Sequence, residues 1–181
     1  AVPDGVRAGI RAIVNFSYSP ATSCASTPIT FNSTATVTTP GAFVEWLWKF
    51  GDGTTSDQQN PVHVFKDTGA LVVTLIVFNN GCTDSVKQTI QVLPPVANFG
   101  YKANCNNTLQ IQFEDSSLTN PIYGAITYQW QMGDPLNTII PGSTPPLFTY
   151  PAAGTYNVTL TVTNGPSCSY TITKPVLVLQ E

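Results

Sequence analysis

Charge is scarce in this chain of 181 residues: Lys, Arg, Asp and Glu together make up 9% of it, against roughly 25% in an ordinary soluble domain. The net charge of −3 at pH 7 and a sequence pI near 4.9 exclude the basic footprint that binding to nucleic acid or an anionic membrane surface requires. There is one histidine, His63, too few to build a zinc site with the cysteines. No apolar run reaches the roughly 18–20 residues that span a bilayer, so membrane insertion is not expected. No basic stretch leads into an apolar one, so no signal peptide is visible. A sustained 3.6-residue apolar period is missing too, and the abundance of Thr, Val and Pro opposes helix. The chain also lacks a Ser-His-Asp set, paired carboxylates in a cleft-forming context, a Gly-rich phosphate loop and metal-spaced histidines. No enzymatic activity is expected from it.

What the chain does have is a repeat. Trp48-Lys49-Phe50-Gly51-Asp52 returns as Trp130-Gln131-Met132-Gly133-Asp134, and Phe16-Ser17-Tyr18 returns as Phe99-Gly100-Tyr101. Val73-Thr74-Leu75-Ile76-Val77-Phe78-Asn79 returns as Val158-Thr159-Leu160-Thr161-Val162-Thr163-Asn164. The offset is about 83 positions, too long for a solenoid unit and suited to one small β-sandwich. The 15 prolines and 13 glycines are dispersed as turn punctuation, which argues for many short strands and against disorder.

Between those turns lie β-patterned runs. In the first copy they are Ile13 to Tyr18, Ile29 to Ser33, Phe43 to Phe50, Pro61 to Phe65, Leu71 to Asn79 and Val86 to Leu93. In the second they are Val96 to Tyr101, Leu109 to Phe113, Ala125 to Met132, Pro146 to Tyr150, Tyr156 to Asn164 and Tyr170 to Leu179. The expected fold is all-β, two immunoglobulin-like sandwiches of about seven strands each. The expected domains are residues 14–93 and 96–181, joined by the linker Pro94-Pro95. Two prolines favour a stiff, extended connection, so the pair should form a rod. Residues 1–13 fall outside the repeat. They read as an N-terminal extension, as the tail of an upstream module, or as an added edge strand that pairs with a neighbouring module.

Of the four cysteines, Cys24 and Cys82 lie in the first copy and Cys105 and Cys168 in the second. Four cysteines allow three connectivities. The repeat favours Cys24–Cys82 and Cys105–Cys168, because each module then closes on itself. Paired cysteines imply an extracellular or periplasmic home.

Trp48-Lys49-Phe50-Gly51-Asp52-Gly53, Pro61-Val62-His63-Val64-Phe65, Gly69 and Val73-Thr74-Leu75-x-Val77-x-Asn79 together resemble a PKD (polycystic kidney disease) domain. The second copy keeps Trp130, Gly133, Asp134, Pro146, Tyr150, Gly154 and Val158-Thr159-Leu160-x-Val162-x-Asn164. It replaces the second turn glycine by Pro135 and the histidine by Phe148. The resemblance implies an extracellular spacer or adhesion module, found in surface proteins and as an accessory domain of secreted hydrolases. The Thr/Asn-rich, charge-poor style with one cysteine pair per repeat resembles the adhesins and gliding-associated surface proteins of the Bacteroidota. Other surface proteins, glycans or further copies of the chain in a filament are the partners this implies.

Each chemically suggestive residue has a plainer structural role. Asp52 between two glycines is a turn aspartate that accepts backbone N–H bonds, and Asp134 recurs in the second copy; a calcium site would need Asp52 and Asp57 to gather further oxygens. His63 aligns with Phe148, so a ring packed on the sandwich explains it better than a general base. By the family pattern Trp48 and Trp130 fill the core against a disulfide, and Trp46 follows by strand parity. Exposed aromatics are expected instead at Tyr123 and Tyr128. Asp84-Ser85-Val86 resembles a short O-glycosylation pattern of the Bacteroidota, with Ser85 as the acceptor.

Overall fold

The computed structural model describes residues 13–36, 44–79, 82–144 and 146–179. Residues 1–12, where an added edge strand is one expectation, lie outside them. The described residues form strands, one short 3-10 turn at Pro121–Tyr123 and no α-helix. By contact they separate into two compact units. Among the described residues the first holds 13–23, 27–36, 44–65, 69–79 and 82–92; the second holds 93–144 and 146–179 together with Cys24–Ser26 and Lys66–Thr68.

The first unit is built from β1 (Phe16–Ser19), β2 (Ser23–Cys24), β3 (Pro28–Ser33), β4 (Val44–Lys49), β5 (Thr55–Ser56), β6 (Val62–Val64), β7 (Gly69–Asn79) and β8 (Cys82–Leu93). One sheet runs β1-β3-β6 and the other β2-β8-β7-β4-β5. In β7, Val73, Leu75, Val77 and Asn79 are buried and alternate with half-exposed neighbours, the period-2 signature of a strand with one face on a core. Between the sheets the core is aromatic. The Trp48 ring lies 5.1 Å from Phe16 and 5.5 Å from Phe31, centroid to centroid. Phe50 adds a ring 5.3 Å from Phe31.

The second unit contains β9 (Phe99–Asn104), β10 (Asn107–Asp115), β11 (Ile126–Gln131), β12 (Ile139–Pro141), β13 (Leu147–Thr149), β14 (Gly154–Asn164) and β15 (Cys168–Val178). Its sheets run β13-β10-β9 and β12-β11-β14-β15. Val158, Leu160, Val162 and Asn164 of β14 repeat the burial pattern of β7. Trp130 lies 5.3 Å from Phe99 and 5.6 Å from Phe113.

Both tryptophans are fully buried, with aromatic rings packed around each of them. The single disulfide among the described residues joins Cys24 to Cys168, both in the second unit, with Cα atoms 5.5 Å apart. Cys82 and Cys105 are free thiols. The expected pairs Cys24–Cys82 and Cys105–Cys168 are therefore not formed. Equivalent sequence positions say which cysteines correspond in the two copies. They do not say which Cα atoms come within the roughly 4.4–6.8 Å a bridge spans.

Candidate functional site

The motif turn of the first copy gathers its chemistry at Asp52. The chain leaves β4 at Phe50 and reverses through Gly51 at φ +85°. A Cβ at Gly51 would lie 2.7 Å from the Val72 carbonyl oxygen, so only glycine fits there. The reversal lets the Asp52 carboxylate fold back over its own loop. Its Oδ1 accepts the Thr54 backbone N–H at 3.0 Å and the Thr54 hydroxyl at 2.6 Å. Its Oδ2 lies 2.7 Å from His63 Nε2. Burial alone would raise the Asp52 pKa, but the bonds from Thr54 and His63 outweigh it and hold the carboxyl below its usual value.

His63 comes from β6. Its ring stacks on Phe50 at 4.0 Å with an interplanar angle of 7°, and meets Phe65 edge-on at 4.6 Å. These contacts give the ring a packing role. Its geometry is wrong for a relay. In a working triad the carboxylate holds one ring nitrogen and the nucleophile faces the other. Here Thr54 Oγ1, at 3.4 Å, and Asp52 Oδ2 both face Nε2, so no proton can pass through the ring from hydroxyl to carboxylate.

The second copy uses the same positions with different chemistry. Gly133 makes the turn at φ +69°. Asp134, 5% exposed, accepts the Thr138 backbone N–H at 2.7 Å and the Thr138 hydroxyl at 2.8 Å. Phe148 occupies the histidine position and meets Tyr150 edge-on at 4.8 Å, much as His63 meets Phe65. The Tyr150 hydroxyl donates to the Met132 carbonyl at 3.0 Å. Burial, helped by the nearby Asp134 and Tyr156, pushes its pKa well above the ordinary tyrosine value.

Asp134 carries a pH signature. Burial would raise its pKa, but the Thr138 bonds win and hold it below the usual carboxylate value. A lowered folded-state pKa means the unfolded chain binds more protons in acid. The stabilisation is complete above about pH 4, the unfolded-state range, and disappears as pH falls through the folded value. Wild type should therefore lose thermal stability below pH 4 more steeply than Asp134→Asn, whose amide keeps its charge state. Parallel melting curves from pH 6 to pH 2 would contradict this role.

The remaining expectations fall out unevenly. Among the described residues no group of three or more His, Cys, Asp or Glu could hold a metal ion. The Asp52 oxygens are engaged by Thr54 and His63, the turn role expected of this residue. Gly53 turns at φ +89° in open space. Tyr123 is exposed, but Tyr128 packs against the second core: strand alternation in β11 turns it to the same face as Trp130. Ser85 is exposed on β8 beside Asp84, whose Oδ1 accepts its N–H at 2.8 Å.

Trp46 is half-buried and lines a groove of about 510 Å³ with Glu45, Leu47, Asp57 and Phe78. The groove lies along β4 where β5 is absent. β5 pairs only with Trp48 and Lys49. In the second copy β12 pairs from Gln131 to Gln129, and Gly142 donates to the Tyr128 carbonyl at 3.1 Å. The loop from motif Asp to strand Pro is three residues shorter in the first copy, Asp52 to Pro61 against Asp134 to Pro146. That difference was readable in the sequence, and it is the signal that could have located the groove.

A family model described as PKD domain matches residues 13–94 and again residues 92–178. Collagenase ColA of Bacillus cereus is 41% identical over 61 residues, which is 34% of this chain and 6% of the collagenase. Collagenase ColQ1 of Bacillus cereus strain Q1 shows the same identity and coverage. The matching stretch is thus a small fraction of these relatives' length. Among solved structures, the PKD1 domain of the Vibrio cholerae metalloprotease PrtV is 26% identical, covering 46% of this chain and 98% of that domain, with a TM-score of 0.40.

Proposed function

The chain belongs to the PKD-domain family, with the domain present twice, and on that premise we propose that it is a non-catalytic accessory pair of an extracellular protein. It contacts and spaces; it does not react. The observation that carries this reading is the use made of the motif groups. Asp52 holds Thr54 and His63, Asp134 holds Thr138, and His63 offers one nitrogen to both of its neighbours. These groups are occupied in closing turns. The collagenase relatives and the disulfide support a location outside the cytoplasm. The collagenase likeness also favours an accessory role beside a secreted hydrolase. The 9% charge content and Thr-rich strands favour the alternative, an adhesive segment of a bacterial surface protein.

The groove at Trp46 is the contact surface in this reading. Trp46 and Phe78 supply aromatic carbon, while the carboxylates of Glu45 and Asp57 are acceptors for hydroxyl groups. That combination suits a glycan. The test is retention of the chain on insoluble chitin and on collagen fibrils, with soluble products assayed in parallel. Retention on chitin without product release, weakened by Glu45→Gln/Asp57→Asn with the fold intact, is expected. Product release by the purified chain, or equal retention of wild type and double variant, would overturn the reading.

A further inference from the structure

Three strands of the second unit share an outward face of uniform chemistry. The register across β11, β14 and β15 aligns Gln129, Thr161 and Thr171 in one row and Gln131, Thr159 and Thr173 in the next. A third row runs from Thr127 through Thr163 to Ser169. Every position of this grid is Ser, Thr or Gln, and none carries a charge. The side chains from β11 and β15 are exposed, and those from β14 are half-exposed between them. The opposite face of the same strands holds Trp130, Leu160 and Ile172 against the core.

The fold does not dictate this lining. The equivalent rows of the first copy are Leu47-Ile76-Ser85 and Lys49-Thr74-Lys87, one largely apolar and the other carrying two cations. Threonine suits any strand, but the first copy builds the same strands with other residues at most of these places. The grid is also held in order. The hydroxyls of Thr161 and Thr171 bond at 3.0 Å and those of Thr159 and Thr173 at 2.8 Å. Each such bond uses one hydrogen and leaves the pair a second hydrogen and free lone pairs for a partner. Fixing the side chains beforehand lowers the entropy lost on binding.

The chemistry of the face selects its partner. It has no Lys or Arg to hold phosphate, sulfate or carboxylate groups, and no carboxylate to hold a cation. It has no aromatic or Arg anchor of the kind that dominates protein interfaces. Strands about 4.8 Å apart and rows about 6.6 Å apart give the grid an area on the order of 300 Å². That is well short of the roughly 800 Å² per partner of a standard protein–protein contact. What matches it is a surface that is flat, uncharged and repetitive, with groups that both donate and accept. We propose that the β11-β14-β15 face binds an uncharged polysaccharide whose chains lie flat and present rows of hydroxyl groups. The proposal rests on the reading of the chain as a glycan-contacting accessory pair and adds a surface in the second unit to the Trp46 groove of the first.

The test uses the full chain and microcrystalline cellulose, with the unbound protein measured after the solid is spun down. Wild type should be depleted from solution. Thr159→Val/Thr161→Val/Thr171→Val/Thr173→Val keeps side-chain shape and strand preference while removing four hydroxyls. It should lower the partition onto cellulose about tenfold or more. Thr161→Lys places one charge at the centre of the grid and should also lower it, which keeps the test open if the quadruple variant does not fold. Circular dichroism and urea unfolding establish the fold of each. Glu45→Gln/Asp57→Asn should leave cellulose retention unchanged, so the outcome is separable from that of the groove on chitin. Wild type that stays in solution, or folded face variants retained as well as wild type, would overturn the proposal. So would a wild-type dimer that Thr161→Lys abolishes, because the face would then belong to a second copy.

Discussion

Replacing Gly133 with alanine should destabilise the second unit by about 2–6 kcal/mol, a large part of a small domain's whole stability. Two costs combine. A non-glycine residue held at φ +69° is strained by roughly 1–3 kcal/mol. A Cβ there would also run into the Asn157 carbonyl oxygen, a backbone atom that cannot rotate away, and overpacking of this kind adds about 1–3 kcal/mol. Gly51→Ala meets the Val72 carbonyl at 2.7 Å and should be somewhat milder. Gly53→Ala meets nothing within 4 Å and should show only the conformational strain. Urea unfolding of the three variants should therefore rank them Gly133, Gly51, Gly53. Equal losses at Gly133 and Gly53 would mean that the close approach of backbone to backbone is not what reserves these turns for glycine.

The second large effect concerns the bridge. Cys24 and Cys168 are 144 positions apart, and a cross-link closing so long a loop restricts the unfolded chain strongly. Cys168→Ser should lower stability by about 2–5 kcal/mol, seen as an earlier denaturation midpoint under non-reducing conditions. Cys82→Ser removes a half-buried thiol without a partner and should change stability by no more than about 0.5 kcal/mol. Reduction of wild type should reproduce the Cys168→Ser midpoint. If Cys82→Ser cost as much as Cys168→Ser, the bridge assignment would be wrong.

Much of the fold was legible because the copies describe one another. β7 and β14 announce themselves through Val-x-Leu-x-Val alternation, and Trp48 and Trp130 mark the same buried place. The strands that escaped notice are β2, β5 and β12, two or three residues each, too short for any alternation to register. The apolar patterns start late in β8 and β15 because Thr83, Ser85 and Ser169 face outward there and look like loop. Ile13 pairs with Thr36 only as an isolated bridge, and β1 begins later than the apolar run suggested. The turn roles of Asp52 and Asp134 were legible from their glycines. The partner Thr54 carries the short-range Asp-Gly-Thr signal of a side chain closing its own turn, whereas Thr138 stands four residues after Asp134, beyond that signal.

The disulfide could not be read, and the reason is physical. Which cysteines meet depends on Cα separations set by tertiary packing, and a repeat reveals only correspondence. The groove at Trp46 is a related case: strand parity predicted an inward Trp46, but only the missing length of β5 leaves it half-exposed beside Glu45 and Asp57.

The central claim is that the repeated motif residues hold turns and rings in place and carry no reaction. His63→Phe tests it most directly, because the second copy already uses Phe148 at that position. The change removes the 2.7 Å bond to Asp52, worth about 0.5–1.5 kcal/mol, and leaves a ring able to pack on Phe50 and Phe65. Measured by urea unfolding, with chitin retention read on the same samples, the variant should stay within about 1.5 kcal/mol of wild type and bind as well. An intact fold that no longer binds, or that has lost a hydrolytic activity present in wild type, would contradict the account.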